Sequence, residues 1–232
     1  MKIVIISDTH GRHADLGQLS GDVLIHCGDF EHLFRQEPGM IARMDDWFGQ
    51  QDFDHILCVG GNHDVQLEHA VKAGGEPFRN ATFLHGRDIV IEGLKFYGAS
   101  WVPDLSGHAF FADDSTLKRA WAEIPGDTDV LITHTPPAGV LDVSSRGLML
   151  GCPHLAERLN DVRPKLHCFG HVHASAGHLV RSGTTFVNAS SVNSAFEIAH
   201  IPVELKLSAT STAPRKRGWI SRTLSSWAGR RG

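Results

Sequence analysis

The stretch KIVIISDTHG, residues 2–11, decides how the rest of the chain reads. Ile3, Val4, Ile5 and Ile6 are consecutive apolar residues with no polar alternation, the pattern of a strand covered on both faces. The run ends at once in Asp8-Thr9-His10-Gly11, which places a carboxylate and an imidazole two residues apart. In extended backbone, residues i and i+2 point the same way, so both side chains are expected to reach one ion.

Working outward, the same arrangement recurs. DVLIHC (22–27) runs into Gly28-Asp29, and HILCVG (55–60) into Gly61-Asn62-His63-Asp64. VLIT (130–133) is followed by His134, and LHCFG (166–170) by the i, i+2 pair His171 and His173. Between these runs, MIARMDDWFGQQ (40–51), DVQLEHAVKA (64–73), DSTLKRAWAEI (114–124) and HLAERL (154–159) carry apolar residues at helical spacing. DIVIEGLKFYGAS (88–100) and HLVRSGTTFVNAS (178–190) read as hairpins around Gly93 and Gly183. FEIAHIPVEL (196–205) reads as a last strand, with Pro202 favouring an edge. Alternating strands and helices predict an α/β layered fold. In open sheets of this class, ligands bind at the carboxyl ends of the strands, which is where these polar residues fall.

Composition narrows the chemistry. The 232 residues suit one core of ordinary size, and a net charge of −4 with 41% hydrophobic residues excludes disorder for most of the chain. Residues 1–205 carry 15 Lys+Arg against 26 Asp+Glu, a net of −11, whereas 206–232 carry seven basic residues and no acid. An acidic body is a poor surface for long nucleic acid. The 16 histidines, roughly three times ordinary usage, point instead to bound cations. Two Asp, one Asn and four His at separate strand ends exceed the needs of one ion and suggest two. Asp29 is the natural bridge, since its two oxygens let one carboxylate join both. Imidazole, carboxylate and amide without thiolate suit Mn, Fe or Zn. Cys27, Cys58, Cys152 and Cys168 are widely spaced with no CxxC, which argues against a disulfide framework and for a reducing cytoplasm. No apolar run approaches the ~18 residues of a membrane span, and the N-terminal run is too short for a signal-peptide core.

Taken singly, each pair has a plainer reading. Asp8 and His10 fit a turn, Asn62 a residue with positive φ, and His134 a hydrogen-bonded core histidine. Five such motifs in order, each ending an apolar run, outweigh those readings. Together DTH (8–10), GD (28–29), GNHD (61–64), TH (133–134) and GHVH (170–173) resemble the signature blocks of the calcineurin-like metallophosphoesterases. SDTHG, THTPP, the Gly151-Cys152 helix start, FGHVH and VNAS (187–190) look more specifically like its metallophosphoesterase-domain phosphodiesterases. The resemblance covers residues 3 to about 190. It implies a four-layer αββα sandwich of two mixed sheets flanked by helices, the metallo-dependent phosphatase fold, over residues 1–205. It implies that Asp8, His10 and His173 hold a first divalent ion, that Asn62, His134 and His171 hold a second, and that Asp29 bridges them. His63 would face the substrate phosphorus and Asp64 would orient His63. Thr135 departs from the glycine usual in the subfamily, and Ala174-Ser175-Ala176-Gly177 lacks its acidic and aromatic residues.

The expected activity is hydrolysis of a small phosphodiester, a cyclic nucleotide among them, by hydroxide generated on the two ions, with His63 protonating the leaving oxygen. No arginine clamp is evident near these blocks beyond Arg12, and the preference for a diester over a doubly charged monoester is implied by the resemblance more than by this chemistry. The alternatives are a phosphomonoesterase acting on a nucleotide or phosphoprotein, and a metal-binding regulatory module without turnover. Residues 206–232 read as a flexible basic tail. In a helical reading Trp219, Ile220, Thr223, Leu224 and Trp227 share a face, and an anionic membrane or partner is the second reading for it.

Overall fold

Strand β1 (Lys2–Ile6) is apolar and buried from Ile3 to Ile6 because it is covered on both sides, and its two faces assign the layers. The computed structural model describes residues 1–32 and 37–209. Along the chain follow β2 (Ser20–His26), α1 (Met40–Gly49), β3 (Asp52–Cys58), α2 (Val65–Lys72), β4 (Thr82–Phe83), β5 (Arg87–Ile91), β6 (Leu94–Ala99), α3 (Asp114–Ala122), β7 (Val130–Thr133), α4 (Pro153–Val162), β8 (Leu166–Phe169), β9 (Gly177–Arg181), β10 (Thr184–Asn188) and β11 (Val203–Lys206). One sheet has the order β11-β1-β2-β3-β4, and the other β5-β6-β7-β8-β10-β9. Both are mixed: β1 to β4 run parallel with β11 antiparallel, and β6, β7, β8 and β10 run parallel between the antiparallel edges β5 and β9.

Residue parity separates three cores. Ile3, Ile5, Val23, Ile25 and Leu57 of the first sheet meet Phe96, Val130, Ile132, Cys168 and Val187 of the second. Val4, Ile6, Leu24 and Cys58 face the other way, onto Met44, Trp47 and Phe48 of α1 and Leu67 of α2. Tyr97, Leu131, Phe169 and Phe186 face Leu117 and Trp121 of α3 and Leu155 and Leu159 of α4. The layers are therefore helix, sheet, sheet, helix, as the resemblance implies. Trp121 is fully buried, and its indole N–H donates to Cys152 Sγ at 3.2 Å, joining α3 to the start of α4. At the carboxyl edge the two sheets touch: Ser191 N donates to Ser7 O at 2.8 Å, and Ser7 bridges Ser190. This contact carries the loop after β1 against the loop after β10.

Both expected hairpins form, with Glu92-Gly93 and Ser182-Gly183 in left-handed turns. The last strand is shorter than the sequence suggests. β11 begins at Val203, on the sheet edge, and Phe196 stands in a turn with φ 60°. The cause is Asn193, whose Oδ1 accepts from the N–H groups of Ala195 (2.8 Å) and Glu197 (3.1 Å). No described helix is long and apolar enough to cross a membrane. The tail reading of 206–232 falls, beyond Ala209, outside the described residues.

Candidate metal centre

Seven side chains converge where the parallel strands of both sheets end. Asp8 and His10 follow β1, Asp29 follows β2, Asn62 follows β3, His134 follows β7, and His171 and His173 follow β8. The expected extended geometry is absent at four of them: Asp8, His10, Asp29 and His171 have φ of 52°, 43°, 58° and 69°. The chain reverses sharply at each strand end, and the left-handed kinks, not an i, i+2 alternation, turn the side chains inward. Close backbone contacts make this possible. A Cβ on Gly28 would meet the Gly60–Gly61 backbone, and one on Gly170 would strike the Asp8 carboxylate and Ser7.

Two subsets share Asp8. Ligating atoms of Asp8, His10 and His173 lie within 4.8 Å of one another, as do those of Asp8, Asp29 and His134. His10 Nε2 is 3.4 Å from His173 Nε2, which is 3.4 Å from Asp8 Oδ1. On the other side, Asn62 Oδ1 is 3.0 Å from His134 Nε2 and 2.9 Å from His171 Nδ1, and the last two are 3.2 Å apart. Asp29 stands between the sets. Its Oδ1 accepts from the His63 backbone N–H at 2.8 Å, whereas Oδ2 is 3.4 Å from His134 Nε2 and 3.9 Å from His10 Nε2.

The tautomers test whether this donor set suits a cation. His134 Nδ1 donates to Cys27 O (2.8 Å) and His10 Nδ1 to Glu31 O (3.2 Å). In the neutral ring each bond leaves Nε2 as a lone pair aimed at another acceptor or imidazole. A carbonyl on one ring nitrogen and a metal on the other is the usual arrangement of a metal-binding histidine. Acceptors packed against acceptors at these separations call for positive charge between them, and the residues fit divalent ions.

The ionisation of the centre follows the same logic. Burial pushes Asp8 and Asp29 up, but the histidines outweigh it and hold both carboxyls below their ordinary range. Burial lowers His134, yet Asp29 and Asp8 reverse this and hold it up at about 9. Burial, followed by the neighbouring His134, pushes His171 down to about 3.

His63 and Asp64 occupy different depths at the centre. His63 lies at the rim, a quarter exposed, with Nε2 4.0 Å from Asp29 Oδ2 and its ring edge-on to His10 at 5.3 Å. Asp64 is fully buried and does not touch the His63 imidazole. Its Oδ2 accepts from the N–H groups of Asp29 and Gly61 (both 2.8 Å), and its Oδ1 from Glu31 N–H (2.9 Å). It staples together the loops that carry Asp29 and Asn62. Glu31 itself escaped the sequence reading. Its buried carboxylate accepts from Gln66 and Leu67 N–H and so caps α2 directly after the GNHD loop. Thr135, in place of the usual glycine, is buried, with its hydroxyl donating to Trp101 O.

The centre opens into a cavity of about 260 Å³, lined by Asp29, Asn62, His63, His171 and His173 together with Ser144, Leu150 and Phe196. Among the described residues, no lysine or arginine lines it. Arg12 is engaged elsewhere, with Asp15 at 2.8 Å and Phe196 O at 3.3 Å. A larger groove of about 500 Å³ between α4 and the β9–β10 hairpin shares no residue with the centre.

An αββα sandwich carrying His, Asp and Asn ligands at its carboxyl edge defines a metal-dependent phosphoric ester hydrolase. A model of the family described as calcineurin-like phosphoesterase matches residues 1–175, and the chain belongs to that family. It is 33% identical over 218 residues to UPF0046 protein K07C11.7 of Caenorhabditis elegans, covering 88% of this chain and 74% of that protein. It is 29% identical over 232 residues to human metallophosphoesterase domain-containing protein 1, covering 89% and 71%. The solved structure of phosphopantetheinyl hydrolase from Mycobacterium tuberculosis shares the fold, with a TM-score of 0.55 and 12% identity over 84% of this chain and 90% of that one.

Proposed function

We propose that the protein hydrolyses a small phosphodiester at a centre of two divalent ions drawn from Mn, Fe and Zn. The observation that carries this reading is the position of Asp29 Oδ2 between two ligand groups, within 3.4 Å of His134 and 3.9 Å of His10. One group is Asp8, His10 and His173; the other is Asn62, His134 and His171. Divalent ions held there would supply an acidified water and neutralise charge on the phosphate oxygens.

The protein's own groups account for the remaining requirements. Carbonyl anchors on His10 and His134 fix the rings, so the ligand atoms stand ready without reorganisation. His63 reaches into the cavity from its rim. Burial lowers its pKa, leaving the imidazole neutral in the resting site, and an anionic phosphate beside it favours the protonated ring. The protonated ring then donates to the leaving oxygen as the P–O bond breaks. Among the described residues no lysine or arginine lines the cavity, which suits the single charge of a diester better than the near double charge of a monoester.

The test uses chelator-treated protein reloaded with Mn²⁺, Fe²⁺ or Zn²⁺ one at a time, assayed on p-nitrophenyl phosphate and on its methyl ester. Faster cleavage of the diester is expected. Preference for the monoester would overturn the diester assignment, and no hydrolysis with any metal would overturn the enzymatic reading. His63→Ala is expected to lower kcat about 10²–10⁴-fold with metal content unchanged.

A further inference from the structure

Beside the centre, residues 143–150 form a tight two-stranded turn whose surface is unusually apolar. Val143 pairs with Met149, Ser144 N–H donates to Leu148 O at 2.8 Å, and Gly147 N–H donates to Ser144 O at 2.9 Å. Leu148 is 58% exposed, Met149 77% and Leu150 37%. Large apolar side chains grouped in the open mark a surface that something else covers. The turn is fastened to the metal-ligand loop, because Ser175 Oγ, two residues past His173, donates to Val143 O at 2.7 Å. Leu150 lines the cavity of the centre. Phe196 lines it too, with its ring 5.4 Å from that of His10 and 5.1 Å from that of His173. The Asn193-capped turn and the bond from Arg12 to Phe196 O fix its backbone.

We propose that the 143–150 turn and Phe196 form a specificity wall that receives a bulky apolar or aromatic ester group of the diester, while the phosphate sits on the metal-ligand side. This rests on the phosphodiesterase reading above. Position supports it: Leu150 and Phe196 are apolar surfaces of the cavity that already contains His63, His171 and His173. Charge supports it as well, since beyond the imidazoles of the centre the described lining offers hydroxyls and apolar surface but no lysine or arginine for a second anionic group.

The experiment compares two diesters with the same leaving group, methyl p-nitrophenyl phosphate and naphthyl p-nitrophenyl phosphate, on Mn²⁺-loaded protein. The wall predicts a higher kcat/KM for the naphthyl ester. Leu150→Ser and, separately, Phe196→Ala should each lower the naphthyl-to-methyl ratio about tenfold, the scale of one buried apolar side chain. Leu150→Met should keep the ratio. Because the ratio is taken within one sample, partial loss of folded protein does not alter it. Equal kcat/KM for the two esters in the unaltered protein, or a ratio unmoved in both variants, overturns the wall alone. Failure to cleave either ester overturns the diesterase reading and the wall with it.

Discussion

Asp8, His10, Asp29 and His171 all adopt positive φ, a conformation that costs non-glycine residues energy and collects at functional sites. The candidate ligands were legible in the sequence because each follows an apolar run, but the kinks that bring them together were not. Asp and His tolerate left-handed backbone without announcing it, and the neighbouring Gly11, Gly28 and Gly170 explain the reversals only once the packing is known. Asp64 carries a sharper lesson. The resemblance implies that it orients His63; in the structure three backbone amides take both its oxygens. Burial, then Asp29 and Glu31, pushes its carboxyl well up, and the amides oppose this by needing two acceptors. Asp64→Asn would face an amide N–H with its own NH₂ group. It is expected to cost about 1–3 kcal/mol in urea unfolding, and to weaken Mn²⁺ binding through loss of loop register. Unchanged stability would assign Asp64 no stapling role. His167 gives a pH prediction. Thr133 Oγ1 donates to Thr135 O and so accepts from His167 Nε2–H, leaving buried Nδ1 without a partner. Burial holds the imidazole down at about 3. The unfolded chain takes up this proton below its ordinary 6.5 and the folded chain does not. Stability therefore falls as pH drops from 6.5 towards 3, by about 1.4 kcal/mol per pH unit for this group. In His167→Gln the slope over that window should be shallower by one proton; an equal slope would contradict the assignment.

At the scale of elements, the strands and helices were legible where period and length agreed. β1, β7 and β8 are short, mostly apolar and bounded by polar residues, and α1 to α4 show one apolar face each. FEIAHIPVEL was misread because its apolar spacing imitates a strand. The overlooked signal was Asn193 followed by Ser194 and Ala195, an Asx-type turn that reverses the chain before Phe196. The apolar turn at 143–150 was missed for a different reason, since nothing in SSRGLML distinguishes exposed from buried leucines. The pairing of α3 with α4 depends on Trp121, which fills the outer core and bonds Cys152. Trp121→Ala is expected to lower stability by about 3–5 kcal/mol. Circular-dichroism melts check this, and a loss below ~1 kcal/mol would show that the helices dock without it.

For the whole molecule, layering and site location follow from one feature: parallel strands in both sheets end at the same edge. Sequence alternation gave α/β, and the unbroken apolar strands announced cover on both faces. That two sheets share the core between them was visible only through the family resemblance, since side-chain parity does not say which sheet a strand joins. The centre unites residues up to 165 positions apart, from Asp8 to His173, so cations bound there should stabilise the folded chain through mass action. The most direct test of the account is a calorimetric titration of Mn²⁺ into chelator-treated full-length protein, alongside Asp29→Asn. Two ions per chain are predicted, with Asp29→Asn losing at least one of them and the diesterase activity together; a single ion in the unaltered protein, or two ions and full activity in Asp29→Asn, would contradict it.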